Sequence, residues 1–261
     1  GIIGGIGLLS RGEFILLYIV SLFYLFWVYR FSIKKIFLVC LISFFVVSPY
    51  LYRNYITFNK VVITNSSGYV LWRGNNNLST IDSITADKEI QILENQNNKN
   101  YEFKNEELKK LDKELNKIKF NKKYDILRDE IFLRQAKENI FSDPARYLSL
   151  YFKKLFSFLF FNYESNYKNY YNPINIIPEI LLSLTGFLGT IIALKNFRKF
   201  SFFYIYLFYN LAIYSAFLIL PRYKIIILPA IIIFALYFIS FLIGLFKKNS
   251  NNVKFHNIKQ P

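Results

Sequence analysis

The sequence predicts an α-helical polytopic membrane protein. It is expected to have five full transmembrane helices plus the end of a leading one, and an external, mainly helical insertion carrying a short β-hairpin. Three observations carry that expectation. Of 261 residues, 54% are hydrophobic and 20% aromatic, and the mean hydropathy is positive. Charged residues make up 19%, against roughly a quarter in soluble domains, and they concentrate in one central block. The remainder contains five long apolar runs, at 14–29, 36–51, 176–194, 202–220 and 225–246. Each approaches the roughly 17–25 residues that cross a bilayer as a helix.

The chain opens GIIGGIGLLS and contains no methionine. This reads as the last turns of a hydrophobic helix, so the chain is expected to be the C-terminal portion of a longer protein. Small residues at positions 1, 4, 5 and 7 suit close helix packing in a membrane. A signal peptide is the competing reading, but the basic segment one needs is missing. Aromatic residues flank the runs 14–29 and 36–51 and extend them into the interface. Basic residues then orient the bundle. Arg30, Lys34 and Lys35 share one loop, Lys195, Arg198 and Lys199 another, and Lys247, Lys248, Lys254 and Lys259 lie in the tail. The positive-inside rule places all three groups in the cytoplasm. Residues 10–13, 52–175 and 221–224 then fall outside, a parity that five spans satisfy. The organisation expected is membrane helices over 1–51 and an external domain over 52–143. An interfacial helix with a Tyr/Asn-rich linker follows over 144–175, then three transmembrane helices over 176–246 and a basic cytoplasmic tail over 247–261.

Inside the external stretch, Val61-Val62-Ile63-Thr64, the turn residues 65–68 and Tyr69-Val70-Leu71-Trp72 pattern as a hairpin. Residues 105–119 pattern as a helix with Leu108, Leu111, Leu115 and Ile118 on one stripe. A second helix is expected over 121–141, with Tyr124, Leu127 and Ile131 inward. Asp143-Pro144 starts a third, with an Asp cap and Pro in the first helical position. That helix, PARYLSLYFKKLFSFLFF, is apolar enough to span. As a span, however, it would bring Lys153 and Lys154 near mid-membrane at a cost of a few kcal/mol each. It is read as amphipathic, lying along the outer membrane surface.

The candidate chemistry is narrow. Cys40 is the single cysteine and lies in an apolar run, which excludes disulfides and thiolate metal sites within the chain. His256 is the single histidine and lies in the tail, so there is no material for triads or multi-histidine sites. Basic residues on the outer side are the unusual feature: Arg11, Arg53, Lys153 with Lys154, and Arg222 with Lys224. A converging set would suit the phosphate of a lipid carrier, because Arg offers two parallel charge-assisted donors. The competing reading is that each snorkels to ordinary head groups. Tyr69, Trp72, Asn75, Asn76 and Asn77 offer an aromatic face and amides of the kind that bind sugars. Gly68 and Gly74 bracket Trp72 and argue for a specific backbone path. We read Gly68, Gly74 and Trp72 as structural and keep Asn75 and Asn76 as sugar-contact candidates. The run NYESNYKNYYN at 162–172 reads as an interfacial aromatic belt. Asn65-Ser66-Ser67 and Asn77-Leu78-Ser79 match the glycosylation sequon. Glu13 stands beside Arg11 as an ion-pair partner, and Glu179 after Pro178 suits a first-turn position. Asp82 and Asp87 carry no distinguishing context, and no acidic pair reads as a catalytic centre. No cofactor is identified, and a divalent cation, though open, has no supporting ligand pattern.

LLSRGEF at 8–14, SPYLYRNY at 48–55 and GYVLWRGNNN at 68–77 together resemble the C-terminal half of a bacterial glycosyltransferase family 39-like protein. This group belongs to the GT-C superfamily and is related to dolichyl-phosphate-mannose-protein mannosyltransferases and the aminoarabinose transferase. The resemblance continues through RQAKENIFSDPARYLSLYFKK at 134–154 and PRYKIIILP at 221–229. It implies a multi-pass inner-membrane enzyme that takes a sugar from a polyprenyl-phosphate donor. The acceptor would be a lipid, glycan or protein on the outer face, with membrane lipids as the other partner and no nucleic acid. By matching position, Arg11 would lie near the carrier phosphate, while Arg53, Asn54 and Tyr55 would anchor the external domain at the membrane. Arg222 and Tyr223 would line the same cavity. Ser10 and Gly12 depart from the family's usual Thr and Pro, and the family's catalytic aspartate would lie upstream of residue 1.

Two further readings stay open. One is a non-enzymatic glycolipid flippase or carrier, or a scaffold with a periplasmic interaction domain. Transporters usually carry broken helices and ionisable groups near mid-membrane, and the runs here have almost none. The other is an oligosaccharide polymerase or ligase, which would share the external arginines.

Overall fold

The computed structural model describes residues 1–10, 12–64, 66–81, 88–95, 101–165 and 168–256. All regular structure among them is helical. Among the described residues, three segments are long and apolar enough to cross a membrane: Ile33–Phe58, Pro173–Ala216 and Pro221–Leu245; Phe14–Trp27 is a shorter apolar helix. The chain folds into two units. One holds Gly1–Phe152 with Ile213–Ile219, and the other holds Lys153–Ala212 with the described residues from Leu220 onward.

The first unit begins with α1 (Ile2–Ser10), α2 (Phe14–Trp27) and α3 (Ile33–Phe58). The glycines of the opening segment do what their spacing suggests. A Cβ at Gly1 or Gly5 would collide with Ile42 or Val46 of α3, and one at Gly4 or Gly7 with Tyr18 or Phe14 of α2. Their missing side chains let three helices meet closely. Ser43 of α3 donates to the Gly1 carbonyl at 2.8 Å and accepts from the Tyr18 hydroxyl at 2.7 Å. Asn59, in the left-handed conformation (φ 55), ends α3.

Next come α4 (Ser67–Gly74), α5 (Lys88–Asn95), α6 (Glu106–Leu115) and α7 (Tyr124–Ser142), then α8 (Pro144–Leu159). The expected hairpin over 60–72 does not form: its second strand is α4, and the turn position Asn65 lies outside the described residues. The physical reason is a distant carboxylate. Asp129 of α7 accepts from the backbone N–H of Gly68 at 3.0 Å and of Tyr69 at 2.8 Å. It thereby caps donors that a helix leaves unsatisfied. Gly68 is so close to α7 that a Cβ would strike the Asp129 carbonyl oxygen. Tertiary context overrides the β-propensity of Tyr69-Val70-Leu71-Trp72.

α4, α5, α6 and α7 enclose one core. Trp72, Leu108, Leu111, Phe132 and Ala136 are fully buried, with Ile90, Leu93, Phe103 and Leu115 around them. α6 carries Leu108, Leu111 and Leu115 of its expected stripe but ends at Leu115, short of the expected 119, so that Ile118 lies in the turn beyond it; Asn105 is the N-cap, its side chain accepting from Glu107 and Leu108 N–H. α7 presents only part of the face expected, with Ile131 packed against this core and Leu127 turned away from it. Ile126, Phe132, Gln135 and Ala136 are buried, Leu127 is exposed, and Tyr124 and Ile131 are only half-buried. One turn on from Asp129, which caps α4, Phe132 meets Trp72, with ring centroids 4.8 Å apart. α8 starts at Asp143-Pro144 as expected, with Asp143 Oδ1 accepting from Arg146 N–H at 3.1 Å.

In the second unit, α9 (Pro173–Ala193) leads through a 3-10 turn at Leu194–Asn196 into α10 (Phe197–Ala216). A second 3-10 turn, Pro221–Tyr223, opens α11 (Lys224–His256). Ser183, Gly186, Gly189 and Ala193 form the buried stripe of α9. They receive Ile227, Ala230, Ile231, Phe234 and Ala235 of α11, all buried. Tyr204 of α10 donates to the Thr190 carbonyl of α9. A straight helix would hold those residues about 21 Å apart, so the chain reverses at the turn between them.

Candidate functional site

The most concentrated polar constellation beside the apolar helices lies in the second unit, where α9 and α11 begin. Asn172 caps α9 by accepting from Ile174 N–H at 3.1 Å, and Pro173 takes the first helical position. Glu179 stands in the second turn, beyond the first-turn position its sequence suggested. Its carboxylate Oε1 accepts from Lys224 Nζ at 2.7 Å and from the Tyr170 hydroxyl at 3.2 Å. Lys224 also donates to the Phe160 carbonyl, which accepts Ser183 Oγ at 3.1 Å as well. The side chains of Lys224 and Glu179 are mostly covered, at 15% and 24% exposure. An ion pair satisfied in this way lets two charges sit at the ends of apolar helices.

The tyrosine-rich segment closes over this pair. Tyr170 Oη accepts from Asn162 N–H at 2.8 Å, while Tyr171 Oη accepts from Ser165 N–H at 2.7 Å and donates to the Asn162 carbonyl at 3.1 Å. Burial pushes the Tyr170 phenol far above its ordinary range. The Asn162 N–H opposes that shift and the Glu179 charge adds to it. Tyr170 is therefore a neutral donor at every physiological pH. Tyr170 and Tyr171, in the run expected as an aromatic belt, form a hydrogen-bonded strap.

Arg222, two residues from Lys224, behaves differently. It is exposed, with its guanidinium 5.6 Å from the Tyr223 ring centroid. Of the two cations in PRYK, Lys224 is neutralised within the fold and Arg222 is presented outward. A planar guanidinium presented beside an aromatic ring is suited to bind a phosphate through two donors.

The remaining expected site residues divide by exposure. Arg11, Asp82 and Asp87 lie outside the described residues. Glu13 is exposed at the start of α2. Arg53 is exposed and donates to Asn54 Oδ1 at 3.3 Å; Asn54 is buried and donates to the Val62 carbonyl at 2.8 Å; Tyr55 is exposed. The structure gives GYVLWRGNNN an internal task. Trp72 is 0% exposed and its indole donates to Glu107 Oε1 at 2.8 Å. Asn75, 6% exposed, donates to the Leu71 and Ala216 carbonyls, both at 2.8 Å. Asn76, 1% exposed, donates to the Trp72 and Arg73 carbonyls and accepts from Leu78 N–H. These amides finish the end of α4 where sugar contacts were expected. Gly74 supplies the close approach expected of it, because a Cβ there would meet the Phe217 carbonyl oxygen at 2.5 Å.

Sequence reasoning missed Tyr170 and the Lys224–Glu179 pairing. The available signal for the pairing was that Lys224 and Glu179 are charges at the margins of long uncharged runs, where an ionisable group needs a partner. Sequence reasoning named Lys154 but missed its burial. The pair Lys153-Lys154 divides, with Lys153 exposed and Lys154 fully buried, its ammonium pKa pushed down to about 7 by desolvation. No cluster of three or more metal-ligating side chains occurs among the described residues. Comparisons with family models, curated proteins and solved structures find no match to this chain.

Proposed function

We propose that this chain is part of a polyprenyl-phosphate-sugar-dependent glycosyltransferase of the GT-C type. It would work at the outer face of a bacterial plasma membrane, with α2, α3, α9, α10 and α11 as five crossings. The observation that carries this reading is the division of labour in PRYK: Lys224 is locked to Glu179, and Arg222 is held outward at the mouth of an apolar helix pair. A lipid-linked phosphate needs that combination, with apolar surface for the chain and a cation at head-group depth. The reversal between α9 and α10 supports two crossings over Pro173–Ala216. Arg53, exposed beside Asn54, supplies a second such cation in its own unit.

In the reaction, a general base takes the proton of the acceptor hydroxyl as its oxygen bonds to the anomeric carbon and the bond from that carbon to the phosphate oxygen breaks. The departing phosphate gains charge, and Arg222 stabilises it as the charge develops. Charge-assisted hydrogen bonds of this kind contribute about 1.5–3 kcal/mol, so Arg222→Ala in the full-length protein should slow transfer from a polyprenyl-phosphate sugar by roughly 10–150-fold. Arg222→Lys, which keeps charge but loses the fork, should fall between. Unchanged transfer in Arg222→Ala refutes the assignment.

A further inference from the structure

We infer that residues 117–123 form a membrane-docking tip that rests on anionic lipid head groups beside the outer end of α3. This depends on α3 crossing the membrane and not on the glycosyltransferase reading. The segment reads KIKFNKK. Lys117, Lys119, Lys122 and Lys123 are all exposed, and Phe120 is 90% exposed with its ring 5.0 Å from that of Tyr124. No acidic residue lies between Glu114 and Asp125. The surrounding carboxylates are engaged elsewhere: Glu114 with Arg134, Glu130 with Lys60, and Glu138 with Lys110 and Arg134. Asp112 accepts from the Asn116 amide, and Asp125 lines a separate small cavity with Arg128 and Asp129. The four lysine charges therefore stand unneutralised by ion pairs among the described residues.

Position makes the bilayer the fitting occupant. α3 ends at Phe58, and Lys60, two residues on, pairs with Glu130 of α7. Glu130 is about 9 Å along α7 from Tyr124, whose ring touches Phe120. The tip thus stands within roughly 20 Å of the end of a membrane-crossing helix. Tyr52, Ile56 and Val61 on the outgoing segment are also exposed, at 67%, 65% and 68%. Between tip and α7 runs an open groove of about 720 Å³, floored by Ile118, Leu127 and Ile131 and edged by Lys117, Lys119 and Arg134, with Glu114 and Glu130 on its rim held in ion pairs to Arg134 and Lys60. Cations around a bare aromatic ring, above an apolar floor, match the boundary between head groups and acyl chains.

The test uses the full chain in nanodiscs, with Phe120→Trp as reporter in a Trp27→Phe background; Trp72, fully buried, adds a constant signal. In discs containing phosphatidylglycerol, the reporter should be blue-shifted and quenched by lipids spin-labelled near the head group. In pure phosphatidylcholine, or with Lys117, Lys119, Lys122 and Lys123 all changed to Gln, both effects should be lost. A single Lys→Gln change should weaken the contact about fivefold, from about 1 kcal/mol per basic residue. Tyr52→Trp is the control at the end of α3. A quenched residue 52 with a water-exposed, unquenched residue 120 overturns the docking tip alone. If residue 52 is unquenched too, the membrane reading beneath it fails. A blue shift produced by soluble polyglutamate in phosphatidylcholine discs would assign the tip to an acidic macromolecule and likewise overturn the inference.

Discussion

Replacing Gly189 by alanine tests the packing of α9 on α11 most sharply. A Cβ there lands more than 1 Å inside the 3.0 Å closest approach of real Cβ atoms, and the atom it meets is the backbone carbonyl oxygen of Phe234. Backbone cannot rotate aside, so α11 must move outward by at least that amount. A gap of 0.5–1 Å forfeits a quarter to a half of each van der Waals contact, and the facing row of Ile227, Ala230, Ile231, Phe234 and Ala235 would all lose some. In a bilayer, where packing rather than water drives helix association, this overpacking should cost about 1–3 kcal/mol. Gly186→Ala provides a graded comparison. Its Cβ would meet Ile231 Cγ2 at 2.5 Å, a side-chain end that can yield. Gly244→Ala has nothing within 4 Å and should be neutral or slightly stabilising. The assay is reversible unfolding of the full chain in mixed detergent micelles, followed by circular dichroism across the three variants. Equal stability of Gly189→Ala and Gly244→Ala would refute the carbonyl-contact argument.

Four further outcomes follow from the geometry. Glu179→Gln should destabilise by about 1–3 kcal/mol, because it leaves a largely covered Lys224 without its carboxylate; a double-mutant cycle with Lys224→Met should recover part of that loss. Asp129→Ala should cost about 1–2 kcal/mol through the two α4 N–H groups it caps, with amide exchange accelerated at Gly68 and Tyr69. Trp72→Phe should cost about 1–2 kcal/mol by removing the indole donor from Glu107, whereas Asn77→Ala, which keeps its backbone N–H, should leave that carboxylate's other bonds intact. Lys154 gives a pH dependence. Its folded pKa, about 7, lies below the unfolded 10.5, so the folded state binds fewer protons between those values. Stability should therefore rise from about pH 7 towards pH 10.5, by a few kcal/mol in order of magnitude, and Lys154→Met should flatten that slope.

The sequence and the structure agree at the glycines of the opening segment, in α6 and at the start of α8. The glycines at 1, 4, 5 and 7 could be read as a close-packing face because no other residue type allows that approach. α6 announced itself through leucines at helical spacing, and α8 through Asp143-Pro144. The hairpin failed for a reason no local window contains, since the carboxylate that makes residues 67–74 a helix is 61 residues away from Gly68. The same holds at the candidate site. Arg222 stood out as a basic residue where the charge pattern expects an outer loop, but Lys224 and Glu179 are 45 residues apart and became a pair only once α9 and α11 met. Asn75 and Asn76 looked like ligand contacts because three consecutive amides are unusual. They are unusual because a short helix has to be stopped against the segment Ile213–Ile219.

Glu107 has a consequence for how the protein is made. Its carboxylate gathers the Trp72 indole, the Asn77 N–H and the Asn139 amide. Trp72 precedes it by 35 residues and Asn139 follows it by 32. At roughly 5–20 residues per second of synthesis, the largest apolar side chain of this core waits several seconds for the last of its neighbours. During that interval α4 lacks Asp129, Phe132 and the Glu107–Asn139 bond, so the nascent segment around Trp72 is the place where a chaperone, or an aggregating neighbour, would first find this domain.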